Sequence, residues 1–323
     1  MRNQRRERAL IVVAFLAIYL IWGSTYLGIK VALEAMPPFF MAGTRFMIAG
    51  AILVACMLAV SAEFGGGFGA LRAALAPARL GRAALVGILM LGVGNGCVVW
   101  SISHGAPTGL VAVVIATTPL WLVLLDWMEN RLAGRPARVA PAVIVGLLVG
   151  LAGIVVLRGV GAHATAGLDG AVLPLLLVAS LAWACGSVVS RRGGRGGHAG
   201  SPLMATGLQM LIGGAAIATY SAVVEGWSTI DLRDFTARSW IGYAYLIVFG
   251  SLVGYTAFIW LLRRVSAAAV GTYAYVNPVV AVILGALMAN EPLTARTMFA
   301  SAIVLVAVAL ITTARARAAP AAT

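Results

Sequence analysis

Gly43-Thr44-Arg45-Phe46-Met47-Ile48-Ala49-Gly50 is echoed 164 residues on by Gly207-Leu208-Gln209-Met210-Leu211-Ile212-Gly213-Gly214, two apolar stretches that each begin and end on glycine. The echo continues outward. Trp22 finds a counterpart in Trp183 at an offset of 161, and Thr118-Pro119-Leu120 finds one in Asn277-Pro278-Val279 at 159. Apolar runs between charges, Gly/Pro clusters and turns give ten spans, near 9–31, 38–60, 83–103, 107–128, 140–158, 170–190, 203–224, 239–262, 267–289 and 296–313. Each is close to the roughly 20 residues needed to cross a hydrocarbon core. Each copy of the repeat then holds five spans, and an odd number sends the two copies into the membrane in opposite directions, as in many secondary transporters. The expected fold is an all-α membrane protein with ten transmembrane helices as two inverted five-helix repeats. Its parts are a cytoplasmic arm over 1–8, a first repeat over 9–158, a linker over 159–169, a second repeat over 170–313 and a cytoplasmic tail over 314–323.

Composition agrees with this plan. Of 323 residues, 62% are hydrophobic and 10% charged, with a mean hydropathy of +1.00. A soluble chain carries about 25% charged residues, and this one would expose large apolar patches in water. The formal charge of +13 does not point to nucleic acid, because the arginines fall between apolar runs and no basic stripe is interleaved with aromatics. The implied partners are the lipid bilayer and a small-molecule solute. With a cytoplasmic N-terminus, the inside segments collect 17 of the 23 basic residues, while Arg158, Arg233, Arg238 and Arg296 lie on the other side. That is the positive-inside pattern, and it puts both termini in the cytoplasm. The first apolar run follows a basic N-terminus as a signal peptide would, but it exceeds 20 residues without a convincing cleavage site and reads as a retained helix. Cys56, Cys97 and Cys185 are isolated in apolar runs, so they read as small buried hydrophobes, with neither a disulfide framework nor a metal site.

Polar groups inside spans are costly, and their positions point to a site. No Asp or Glu sits mid-span: Asp126 is near the cytoplasmic end of the fourth span, and Glu34, Glu225 and Glu291 are at outer ends. Deep carboxylates are the usual ion relay, so facilitated and proton-coupled transport both stay open. The deep residues are neutral or aromatic: Trp22, Ser24 and Tyr26, then Asn95 and Trp100, then Trp183 and Ser187, and finally Tyr255, Tyr273 and Asn277. An amide or hydroxyl in hydrocarbon needs a partner, and aromatic walls accept apolar or cationic bodies. These residues form the candidate substrate-binding set for an amphipathic solute of moderate size. Packing is the alternative role for Trp22, Asn95, Trp183 and Tyr273.

Pro119 and Pro278 stand at matching places, where each removes a backbone hydrogen bond and can bend its helix as a gate or as a static kink. Lys30 and Arg45, the basic residues inside spans, either snorkel to the outer surface or serve an outer gate. Glu34 is a candidate partner one turn from Lys30. Gly146, Gly150 and Gly153 form a small-residue packing seam. His104, His163 and His198 fall in loops or at helix ends, no acidic or His cluster has metal spacing, and no phosphate-binding loop is present. No metal, cofactor or enzymatic reaction is therefore expected.

Trp22-Gly23-Ser24-Thr25-Tyr26 with Lys30, Pro37-Pro38 followed by Arg45-Phe46, and Asn277-Pro278 with Asn290-Glu291-Pro292-Leu293 resemble the EamA-domain transporters of the drug/metabolite transporter superfamily. The resemblance covers nearly the whole chain as two tandem domains. It implies a ten-helix exporter of small metabolites, commonly amino acids or related compounds, in a bacterial inner membrane. It further implies a cavity between the repeats, lined by helices 1, 3, 4, 6, 8 and 9, with helices 5 and 10 peripheral. One departure is that Asn130-Arg131-Leu132, with Glu129 displaced, stands where the second half has Asn290-Glu291-Pro292-Leu293. A phosphorylated solute, as in the related sugar-phosphate translocators, would call for deep basic residues that the second half lacks. The alternative class is an integral membrane lipid-modifying enzyme or a non-transporting receptor. A carboxylate cluster facing one leaflet would mark the first and a large soluble output domain the second, and neither is evident.

Overall fold

The computed structural model describes residues 2–63, 72, 74–134, 141–158, 169–194, 202–262, 264–265, 270, 272–291 and 293–318. Among these the regular structure is entirely helical. The long elements are α1 (Arg2–Ala32), α2 (Pro38–Glu63), α3 (Pro77–Ser103), α4 (Thr108–Leu132), α5 (Pro141–Arg158), α6 (Val172–Gly194) and α7 (Pro202–Val224). They are followed by α8 (Ala237–Tyr245, Leu246–Val253 and Gly254–Leu262 end to end), α9 (Tyr273–Met288) and α10 (Ala295–Ala318). Among the described residues, seven helices, within α1–α4 and α6–α8, are long and apolar enough to cross a membrane, and Val276–Met288 and Met298–Ala307 are shorter apolar helices. Because α1 begins at Arg2 and α10 runs to Ala318, the segments read as an arm and a tail largely continue helices. The linker read over 159–169 lies, apart from Asp169, outside the described residues.

Four helices open on proline, at Pro38, Pro77, Pro141 and Pro202. A first-turn N–H has no intrahelical acceptor, so its loss there has no cost and the fixed φ helps. The start of α2 is capped from elsewhere: the Glu225 carboxylate accepts from Phe39 N at 2.8 Å and Phe40 N at 2.7 Å, satisfying two orphan donors.

The two stretches that match in sequence pack against each other. α2 lies along α7, and a Cβ on Gly43, Gly50 or Gly214 would sit 2.6–2.7 Å from the backbone nitrogen of Ala218, Leu211 or Met47. Backbones this close leave no room for a side chain. α5 lies along α10, with Gly150 and Gly153 facing Leu120, Val304 and Ala307. Other pairings recur at similar offsets: α1 packs on α8 and α9, and α6 packs on α3 and α4.

Three local features differ from the sequence reading. Ile88–Asn95 in α3 and Leu246–Val253 in α8 are π-helical, 158 residues apart, and such wide turns often mark functional positions. α4 breaks at Ala116 and Thr117, so Pro119 heads a fresh segment, Thr118–Leu132, while Pro278 lies inside α9. Pro119 therefore removes no intrahelical hydrogen bond, contrary to the reading of the two prolines as equivalent. None of the cysteines is fully buried: Cys56 is exposed and Cys97 and Cys185 are half-buried, all as free thiols.

Candidate functional site

A cavity of about 760 Å³, part of it open to solvent, lies between α1, α2, α3, α4, α6, α8 and α9. Six of these helices are those the resemblance implied, and α2 is an addition.

Trp22 is the centre of the aromatic wall. Its Nε1 donates to the carbonyl of Gly250 in the π-helical segment of α8 at 3.2 Å. Its ring meets Tyr273 at 5.2 Å and 89°, Tyr255 at 5.6 Å and 68°, and Trp183 at 6.3 Å and 87°, edge-to-face geometries that suit aromatic quadrupoles. Gly254 makes room beneath it, since a Cβ there would stand 2.3 Å from Nε1. The tryptophans matched by the repeat thus meet at one cavity wall.

Arg45 also lines the cavity and is only 4% exposed. Its Nη2 donates to Asn95 Oδ1 at 3.0 Å, and its guanidinium lies 4.3 Å from the Phe46 ring centroid. The expectation that it would snorkel is corrected: the side chain turns into the bundle because α2 presents this position to the lumen. Nε of Arg45 and the hydroxyl of Tyr255 are buried without hydrogen-bond partners. Asn277, oriented to satisfy its amide, donates to Tyr273 O at 3.2 Å and Tyr19 O at 3.1 Å, tying α9 to α1.

Of the ten expected binding residues, seven line the cavity: Trp22, Tyr26, Asn95, Trp183, Tyr255, Tyr273 and Asn277. The other three do not. Ser24, two residues and about 200° round the helix from Trp22, bonds to the carbonyls of Leu20 and Ile21 and to the Tyr245 hydroxyl. Ser187 donates to Trp183 O at 2.7 Å. Trp100 stacks on His104 with centroids 3.8 Å apart. Ser24→Ala is accordingly expected to cost about 1 kcal/mol of stability and to leave the cavity's ligand affinity unchanged. A thermal unfolding scan with and without ligand checks this.

At one end of the bundle a single carboxylate joins three helices. Glu291 Oε1 pairs with Lys30 Nζ at 2.8 Å. Glu291 also accepts from Thr108 N at 2.9 and 3.0 Å and from Thr108 Oγ1 at 2.9 Å, capping α4 at its positive N-terminus. The motif around it has a mechanical reason. Asn290 takes φ 51°, which Asn tolerates, and turns the chain so that Ala289 N and Glu291 N both donate to Gly285 O at 3.0 and 3.1 Å. A Cβ on Gly285 would stand 2.5 Å from Glu291 Oε2. Glu34, the partner expected for Lys30, falls past the end of α1 and pairs instead with Arg238 at 3.2 Å. At the opposite end Arg191 of α6 pairs with Asp126 of α4 at 2.9 Å.

Residues 9–159 and 171–313 match the EamA-like transporter family. The chain is similar to the "Uncharacterized inner membrane transporter YedA" of Escherichia coli strain K12, 36% identical over 302 residues, covering 93% of this chain and 89% of that one. It is also similar to the "Probable amino-acid metabolite efflux pump" of the same strain, 24% identical over 296 residues, covering 87% and 88%. A solved crystal structure 22% identical to it has a TM-score of 0.63 over 95% of this chain and 98% of its own, a likeness of fold.

Proposed function

The chain belongs to the EamA-like transporter family, and from that premise we propose that it exports a small amphipathic metabolite, an amino acid or a related compound, across the inner membrane by alternating access. The observation that carries the reading is the cavity inside the helix bundle, walled by Trp22, Trp183, Tyr255 and Tyr273 with the Arg45 guanidinium in its lining. The relative named as an amino-acid metabolite efflux pump supports the same solute class.

Several features support ten spans in two inverted repeats: the two matched segments, the opposed glycine faces of α2 and α7, and the paired π-helical segments. The ion pairs at opposite ends of the bundle support it too. With both termini cytoplasmic, the Lys30, Glu291 and Thr108 cluster closes the outer end and the Arg191–Asp126 pair bridges the inner one. Breaking either set shifts the equilibrium toward the state in which that end is open. Arg45 belongs to the cavity rather than to a gate.

Pro278, inside α9 and next to Asn277 on the cavity wall, is the position at which alternation would bend the helix. Pro278→Ala restores an intrahelical donor and is expected to slow flux by about 5- to 150-fold, whereas Pro119→Ala, at the head of a segment, changes it far less. Initial rates in proteoliposomes compare the two. The test of the function itself is uptake of labelled amino acids and aromatic metabolites into proteoliposomes. Accelerated flux of at least one solute is expected. Conversion of a lipid with no solute movement would overturn the reading in favour of a membrane enzyme.

A further inference from the structure

We propose that Arg45, held by Asn95 in the cavity that the unpartnered hydroxyl of Tyr255 also lines, is an anion subsite that takes the carboxylate of the solute. On this account, which rests on the transport reading above, the substrates are organic monocarboxylates with an apolar or aromatic body.

A guanidinium stays charged in a protein, and burying one is costly unless a counter-charge and hydrogen bonds answer it. Arg45 is 4% exposed and has no carboxylate partner among the described residues. The acids that could have served are engaged elsewhere: Glu291 with Lys30, Asp126 with Arg191, Glu34 with Arg238, and Glu225 with the backbone of α2. The contacts it does have are neutral. Asn95 takes one Nη2 proton and the Phe46 ring lies against the guanidinium, which fixes the group and leaves Nε, a buried donor, unanswered. The second unanswered polar atom, the Tyr255 hydroxyl, belongs to the same cavity. An arginine placed only for packing would have its donors satisfied.

A carboxylate completes this arrangement. It fits the planar fork of a guanidinium and can accept from the Tyr255 hydroxyl, while the rings of Trp22, Trp183 and Tyr273 take the solute's apolar body. A phosphate dianion is a poorer match, since Arg45 is the single Lys or Arg among the lining residues.

The probes are 3-phenylpropionate and its neutral isostere 3-phenylpropionamide, used on the full-length protein in nanodiscs with ligand-induced thermal shift as the readout, and in proteoliposomes as competitors of flux. The parent is expected to prefer the carboxylate by about 10- to 100-fold, the value of a charge-assisted hydrogen bond. Arg45→Gln should bind both probes equally, and Arg45→Lys should keep part of the preference. Tyr255→Phe, which removes only the hydroxyl, should reduce the preference by less than Arg45→Gln does. A parent that binds the two alike, or binds neither, overturns the subsite without any variant. So does a monodisperse Arg45→Gln that keeps the preference. Preference in binding with no flux of any solute overturns the transport reading and keeps the subsite. Flux without preference does the reverse.

Discussion

Glu291→Ala is expected to lower the stability of the protein by about 2–4 kcal/mol and to leave the end of the bundle beside Lys30 permanently loosened. One carboxylate answers the Lys30 ammonium, the backbone N–H that opens α4 and the Thr108 hydroxyl, and its side chain is 9% exposed. Breaking a buried pair costs about 3–5 kcal/mol. Lys30 is 38% exposed, so water recovers part of that, while the lost cap at Thr108 adds about 1 kcal/mol. Glu291→Gln, which can still accept from the backbone, should lose about half as much. Lys30→Met, which strands the nearly buried carboxylate without its counter-charge but keeps its Thr108 contacts, should lose more than Glu291→Gln and less than Glu291→Ala. Thermal unfolding in detergent reads the stability series, and a double-mutant cycle between the two positions isolates the ion pair.

The other large effect lies where helix backbones touch. A Cβ on Gly87 of α3 would stand 2.3 Å from Gln209 O, and one on Gly213 of α7 would stand 2.5 Å from Gly87 O. Both neighbours are backbone atoms and cannot rotate away. Gly213→Val and Gly87→Val are expected to cost at least about 3 kcal/mol each, the upper end for overpacking a well-filled core, and to yield little monodisperse protein. Gly81→Ala, in the same helix as Gly87 but with nothing within 4 Å of its Cβ, should be neutral or stabilising by about 0.5–1 kcal/mol. Fluorescence size-exclusion profiles of the three variants separate a specific close approach from a general intolerance of change.

The depth of a residue along its span could be read from the sequence, and its rotation about the helix axis could not. Apolar length locates Trp22 and Ser24 at the same depth, but the former faces the cavity while the latter faces the carbonyls of its own helix and Tyr245. Arg45 shows the same: its distance from the helix end suggests snorkelling or an outer gate, and only the packing of α2 beside α3 and α8 turns it inward. The ion pairs were hidden by chain separation, since Lys30 and Glu291 are 261 residues apart. Glu34, four residues from Lys30, cannot use helical spacing because α1 stops at Ala32. The π-helical segments have no residue signature beyond the glycines already present for packing. The repeat, by contrast, was legible because close backbone approach demands glycine at fixed positions.

Alternating access to the aromatic cavity is tested most directly by Thr25→Cys, a lining position, on a background with Cys56, Cys97 and Cys185 replaced by alanine. A membrane-impermeant thiol reagent is applied to sealed vesicles from one face at a time, with and without a transported solute. The account predicts that the thiol reacts from both faces, that solute slows both reactions, and that Glu291→Gln speeds labelling from the face beside Lys30. Labelling from a single face under every condition, or labelling that no transported solute slows, would contradict it.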